Sequence, residues 1–246
     1  MTHTSRGRAR FGVLVPFTNT NLEPDMQLLR PPGVSMHFAR MGGYERDEIP
    51  DAGQMHGLGA ADLDAPLELL QGVRPDLILY GCTSATLTHG PAFDRDLAAQ
   101  IKSQSGAQTV TAAGALVFAL NRLGAKRIGF ASPYVAAIND LAIAFLQQSG
   151  FDTVARSEVD QPLGNYEQGA LTPEKVFELG KAADHAQADA IVLSCTDMRS
   201  VEIIADLERA LDKPVVTSNQ AMIFQARQLT GIDDRLTGYG MIFDQR

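Results

Sequence analysis

The chain has 246 residues, 45% of them hydrophobic and 20% charged, a balance that fits a globular protein and excludes a disordered or collagenous one. Its formal net charge is −8 and Lys and Arg form no cluster, which excludes nucleic acid as an expected partner, since displacing phosphate counterions needs concentrated positive charge. No apolar run approaches the roughly 20 residues of a membrane span, and the basic stretch Met1 to Arg10 lacks the apolar core of an export signal, so the expectation is a cytoplasmic protein with a frayed N-terminal lead-in and no membrane partner.

Strands are expected at Phe11 to Val15, Ser35 to Arg40, Leu77 to Gly81, Gln108 to Thr111, Arg127 to Ala131, Asp152 to Ser157, Ala190 to Ser194 and Pro214 to Thr217. Helical patterns fall between them, at Asp62 to Gln71, Ala92 to Ser105, Ala112 to Leu123, Val135 to Gln148, Thr172 to Ala186, Ser200 to Leu211 and Ser218 to Leu229. Thr172-Pro173 reads as a helix start, and Gly124 and Gly150 as helix stops. Short strands alternating with longer helices predict an α/β protein whose parallel sheets are covered by helices on both faces.

The chain also repeats itself. PDLILYGCTSAT around Cys82 resembles ADAIVLSCTDMR around Cys195, at an offset of 195 − 82 = 113 positions. RFGVLVPF around Pro16 resembles RIGFASPY around Pro133, at an offset of 133 − 16 = 117. Offsets that agree so closely predict two pseudo-symmetric halves, 1–112 and 113–246, with a cleft between them. The C-terminal helix from about Ser218 is expected to pack back on the first half.

In open parallel sheets, ligands gather beyond the carboxyl ends of the strands. Cys82, Cys195, Asn19 and Tyr134 all follow such ends. The polar residues after the cysteines, Thr83 and Ser84 in one half and Thr196 and Asp197 in the other, would cradle a carboxylate if they open helices, and would lower a thiol's pKa. A lone cysteine usually packs as a small hydrophobe, but the only two cysteines at matched points of a repeat point to a thiol pair facing one small substrate. Asn19 reads equally as a turn residue, Tyr134 as a half-buried aromatic and Asn165 as a loop residue.

Other chemistries are poorly served. There is no CxxC, HExxH or Cys/His set at zinc spacing, and a disulfide is not expected in a reducing compartment. His3, His37, His56, His89 and His185 show no positional pairing with the cysteines, and a Cys–His hydrolase would leave the duplicated thiol unexplained. Gly42-Gly43 and the glycines from Gly53 to Gly59 match no phosphate-binding loop; the stretch 42–59 reads as turns or as a flap over the cleft.

The paired cysteine segments, Pro16-x-x-Asn19-Thr20-x-x-Glu23 and Ser132-Pro133-Tyr134 resemble the aspartate/glutamate racemase superfamily, in its branch of maleate cis-trans isomerases, arylmalonate decarboxylases and ectoine-utilisation racemase-like proteins. The asparagine stretch is similar to the maleate isomerases, whereas YGCTSA, LSCT and PVVTSNQA are similar to the ectoine-utilisation group. Arylmalonate decarboxylases lack the first-half cysteine, so Cys82 argues against that activity. The resemblance implies a cofactor-independent isomerase with Cys82 and Cys195 as the catalytic pair. Asn19, Thr83, Ser84, Tyr134, Asn165 and Thr196 would hold a small (di)carboxylate, and the assembly would be a homodimer or larger homo-oligomer. Maleate-to-fumarate isomerisation is the leading expectation. Racemisation of an amino-acid-like acid, and non-catalytic binding of a small acid, are the alternatives.

Overall fold

The structure, a computed structural model, describes residues 7–42 and 45–244. Residues 1–6 of the basic lead-in, with His3, and Gly43 of the Gly42-Gly43 pair lie outside the described residues. The rest of that lead-in is not frayed: Gly7 N and Arg8 N both donate to Gly33 O, and the Arg8 guanidinium pairs with Asp234.

The first half runs β1 Ala9–Pro16, α1 Leu22–Leu28, β2 Val34–Met41, α2 Ala52–Gly59, α3 Asp64–Gln71, β3 Leu77–Tyr80, α4 Thr83–Leu87, α5 Pro91–Ser105 and β4 Gln108–Thr111. After α6 Ala112–Leu123 come β5 Arg127–Ser132, α7 Ala136–Gln148, β6 Asp152–Glu158, α8 Asn165–Gly169, α9 Pro173–Ala182 and β7 Ala190–Leu193. A 3-10 turn at Val201–Ile203 leads into α10 Ile204–Leu211, then β8 Val215–Thr217 and α11 Ser218–Thr230. All pairings are parallel, in two four-stranded sheets ordered β2-β1-β3-β4 and β6-β5-β7-β8. The chain is α/β with two pseudo-symmetric lobes.

The central strands are apolar because both their faces are covered: every residue of β3 and of β7 is buried. Burying each Leu, Ile or Val side chain there contributes about 1.5–3 kcal/mol. At the base of each sheet an aspartate ties the outgoing strand to the incoming one. Asp76 accepts from Arg10 N and Asp189 from Arg127 N, each at 2.8 Å, and Asp76 N and Asp189 N donate back to Arg10 O and Arg127 O. At the top, Gly81 N donates to Leu14 O and Ser194 N to Ala131 O, both at 2.9 Å. The two strand pairs therefore end in the same register, which carries Cys82 and Cys195 to equivalent points.

The punctuation is as the sequence spells it. Thr172 Oγ1 caps α9 by accepting from Lys175 N, Gly124 closes α6 at φ +70°, and Gly150 turns the chain after α7 at φ +95°. The helix α11 packs against α6 and onto β3, β4 and α1 of the first sheet. Four helices go beyond the sequence reading: α1, α2, α4 and α8, each five to eight residues long. Among the described residues, no helix is long and apolar enough to cross a membrane.

Candidate active site

The carboxyl ends of both sheets face one small cavity, lined by both cysteines together with Asn19, Thr83, Ser84, Tyr134, Asn165 and Thr196. Every site residue named from sequence therefore converges on one place. The two thiols are free, 5% and 4% exposed, and each is close enough to the Tyr134 hydroxyl to raise its pKa. Pro16, Thr18, Pro50, Met55, Gln168 and Asp197 complete the lining.

What differs from expectation is how these groups are used. The hydroxyl of Thr196 donates to Gly81 O at 2.9 Å and accepts from Asn19 Nδ2 at 3.0 Å, while that of Thr83 donates to Ser218 Oγ at 2.9 Å. These two hydroxyls pin the seam between lobes. Asn19 Oδ1 accepts from Asn21 N and Leu22 N, so the side chain shapes its own loop and keeps one amide hydrogen for the cavity. Asn165 donates to Arg46 O and Glu48 O at 3.2 and 3.3 Å, which ties the second lobe to the segment that follows β2.

That segment is part of the stretch read as a flap. Residues 43 and 44 lie outside the described residues, and from Ala52 the chain is helix α2 rather than a run of glycine turns, capped by Asp51 Oδ1 accepting from Gln54 N. Pro50 and Met55 bring an apolar wall to the cavity, with Ser84 Oγ donating to Met55 Sδ at 3.0 Å. Behind it, His56 stacks on His89 with centroids 3.5 Å apart and His89 on Phe93 at 3.8 Å, joining α2 to the turn after α4. None of the described histidines lines the cavity.

The helical cradle exists on one side only. After Cys82 the chain enters α4, the backbone amides of Ser84 and Ala85 point their hydrogen bonds at the thiol, and Ser84 Oγ lies 3.7 Å from Cys82 Sγ. After Cys195 there is a turn, and Asp197 N donates to Cys195 Sγ at 3.3 Å. The expected lowering of the thiol pKa is overturned, because burial outweighs these hydrogen bonds. It raises Cys82, and pushes Cys195 up to about 12 with help from the neighbouring Asp197 carboxylate. The Tyr134 hydroxyl is within hydrogen-bond reach of Cys195 and Ser84, and burial lifts its pKa well above the usual 10.

No lysine, arginine or histidine among the described residues lines the cavity; its donors are neutral amides and hydroxyls, and its one acid is Asp197. Sequence reasoning noted Asp197 only as part of a polar stretch and missed Gln168, Met55 and Pro50, which no repeat marks. Arg40 was missed as well. Its guanidinium pairs with Glu23 and donates to Pro16 O and Asn19 O, bracing the Asn19 loop from β2. The Pro-x-x-Asn-x-x-x-Glu spacing held that signal. Among the described residues, no group of three or more His, Cys, Asp or Glu converges as a metal site would.

The chain is similar along nearly its whole length to proteins of known activity. It is 27% identical to the maleate isomerase of Nocardia farcinica, covering 97% of each chain, and 27% identical to the arylmalonate decarboxylase of Bordetella bronchiseptica, covering 94% of this chain and 92% of that one. Its fold matches a crystal structure of a Cys-to-Ser mutant of the N. farcinica maleate cis-trans isomerase with a covalently bound succinylcysteine intermediate, at a TM-score of 0.88 and 24% identity, covering 97% of this chain and 99% of the other. The arylmalonate decarboxylase family model matches residues 63–243, most of the chain, and the protein belongs to that family.

Proposed function

We propose that the protein is a cofactor-independent cis-trans isomerase of a small unsaturated dicarboxylic acid, with maleate as substrate and fumarate as product. The observation that carries this reading is the pair of free thiols, one from each lobe, on a single small cavity. The similarity to maleate isomerases and the succinylcysteine seen in one of them support it. Although the family is named for a decarboxylase, Cys82 favours the isomerase, because the resemblance implies that arylmalonate decarboxylases keep only the second of the two cysteines.

The two thiols take different parts. Cys195, held near pKa 12, stays protonated at neutral pH and is the proton donor. Cys82 has hydrogen-bond donors and no adjacent carboxylate, so it reaches the thiolate more readily and is the nucleophile. Its sulfur adds to one alkene carbon, the π electrons move to the other carbon, and the Cys195 S–H protonates that carbon. The resulting C–C single bond rotates. Cys195 then removes a proton, the double bond re-forms in the trans geometry and the C–S bond to Cys82 breaks. Asn19 and Tyr134, with the backbone amides of Thr83 and Thr196, hold the carboxylates and stabilise the charge that spreads onto them, while Asn165 positions the segment that closes the cavity. The same reading carries a cytoplasmic homo-oligomer with reduced thiols.

Fumarate formation from maleate, followed by proton NMR, tests the proposal. Two thiols lining one cavity also suit a two-base racemase, so D- and L-aspartate form the second arm. Loss of optical rotation there without maleate turnover would replace the isomerase by that alternative, and neither reaction would leave a binding protein.

A further inference from the structure

The repeat aligns Cys82-Thr83-Ser84 with Cys195-Thr196-Asp197, so Asp197 occupies the position that Ser84 holds in the first lobe. The substitution puts a carboxylate beside one thiol and a hydroxyl beside the other. Ser84 Oγ lies 3.7 Å from Cys82 Sγ and turns to Met55. Asp197 is 8% exposed, and its Oδ1 accepts from Thr20 N at 2.8 Å and from Asn21 N and Asn21 Nδ2 at 3.0 Å, all on the opposite lobe. Asn21 Nδ2 donates in addition to Asp197 O and Gly169 O. Asp197 thus clamps the loop that carries Asn19 while standing two residues from Cys195.

We propose that Asp197 is the positioning residue that makes the two thiols unequal: its carboxylate, buried beside Cys195 and fixed by the opposite lobe, holds that cysteine in the protonated form and leaves Cys82 as the nucleophile. The electrostatics follow the geometry. Asp197 is the second-largest cause, after burial, of the raised Cys195 pKa, and no carboxylate acts on Cys82 in that way. Its own pKa is raised to about 6 by burial against the hydrogen bonds from Thr20 and Asn21, so it is ionised at neutral pH. Asp25 on α1 couples to it electrostatically, and the Arg199–Glu202 pair, whose guanidinium and carboxylate lie 2.8 Å apart, acts on Asp25 in turn. The Tyr134 hydroxyl lies within hydrogen-bond reach of Cys195.

This inference rests on the two-thiol reading for its consequence, but its test needs no substrate, so the two fail separately. Iodoacetamide alkylation is followed at each cysteine by peptide mass spectrometry across neutral to alkaline pH. In Asp197→Asn, which keeps an acceptor for Thr20 and Asn21, alkylation of Cys195 at mildly alkaline pH should accelerate about three- to tenfold. A tenfold gain in thiolate for each unit the pKa falls is partly offset by the weaker nucleophilicity of a less basic thiolate. Cys82 should stay within about twofold, well short of that range. The converse variant, Ser84→Asp, should slow Cys82 by a similar factor and spare Cys195. An unchanged Cys195 rate in Asp197→Asn would overturn the proposal, as would equal acceleration at both cysteines, which marks a loosened loop. If Asp197→Asn does not fold, Ser84→Asp decides: a Cys82 rate indifferent to the new carboxylate overturns the idea.

Discussion

The two lobes share a strand order, a basal aspartate latch and a common register at the strand tops, and they diverge most consequentially where each sheet stops. The first lobe follows its cysteine with helix α4; the second follows its own with a turn carrying Asp197. The first lobe brings α2 to the cavity wall, and the second holds the segment leading into it through Asn165 at the start of α8. Duplication thus supplies two thiols at equal heights, and the loops make them chemically different. Substitutions at equivalent positions are the direct way to probe that division.

The largest effect is expected at the cysteines. Cys82→Ser and Cys195→Ser should each lower kcat by at least about a thousandfold, the scale of losing a nucleophile or a positioned acid, with unchanged thermal melting. They should differ in what they trap. Cys195→Ser incubated with maleate should accumulate a covalent adduct on the Cys82 peptide, whereas Cys82→Ser should form none. An adduct on Cys195 in the Cys82→Ser protein would reverse the assigned roles.

Next come Gly12 and Gly129, equivalent positions in β1 and β5. A Cβ at Gly12 would meet Leu70 and Ile78 side chains at 3.4 Å, an ordinary contact, while one at Gly129 would lie 2.0 Å from the carbonyl oxygen of Ala183. Backbone cannot yield as a side chain tip does. Gly129→Ala should therefore cost about 3 kcal/mol or more in urea unfolding, and Gly12→Ala should stay within about 1 kcal/mol. Equal costs would show that the helices after α8 pack on the second sheet as loosely as α3 packs on the first.

This contrast also explains what could be read from the sequence. All eight strands were legible, because runs such as LILY and AIVL are buried on both faces and stop at Gly, Pro or a polar residue. Helices of ten residues or more carried their own period and caps. Among the short ones α3 and α10 were legible and four were not: AGQMHGLG becomes α2 only because Asp51 caps it and Met55 and Leu58 are buried beneath it, a tertiary effect that overrides its glycines. In the site, the cysteines were legible because the repeat marked them twice. Asp197 and Arg40 act across lobes or from another strand, through partners that no local pattern identifies.

Asp25 offers a third comparison. It sits buried on α1, receiving Asn219 Nδ2 at 2.7 Å, and the position 117 residues on, within α7, is the buried Ala142. Burial raises the Asp25 pKa from 3.8 to about 7, so the folded state keeps a proton that the unfolded chain releases. Its contribution is therefore full below about pH 4 and is lost as the pH rises towards 7, by at most about 1.4 kcal/mol for each pH unit crossed. Asp25→Asn should flatten this decline, with a higher melting temperature than the parent near pH 8 and little difference near pH 4. The slope contributed by Asp197 up to about pH 6 should remain. A variant that melts lower at both pH values would mean that the carboxyl is needed as a hydrogen-bond partner.

The smallest contrast lies in Thr83 and Thr196, which occupy equivalent positions and both pin the seam. Thr196→Val removes the donor to Gly81 O and the acceptor for Asn19 Nδ2 in a buried setting, and should cost about 1–3 kcal/mol because the orphaned groups cannot reach water. Thr83→Val leaves only the Ser218 hydroxyl without that partner, and a hydroxyl can rotate, so its cost should be about 1 kcal/mol or less. The kinetic signatures should separate further. Releasing Asn19 weakens the hold on a carboxylate, so Thr196→Val should raise KM for maleate more than it lowers kcat, whereas Thr83→Val, which frees no cavity-facing donor, should leave KM nearly unchanged. Steady-state kinetics on both variants measures this, and a KM that rises equally in the two would mean that the seam acts as one unit and the Thr196 contact has no special claim on the substrate.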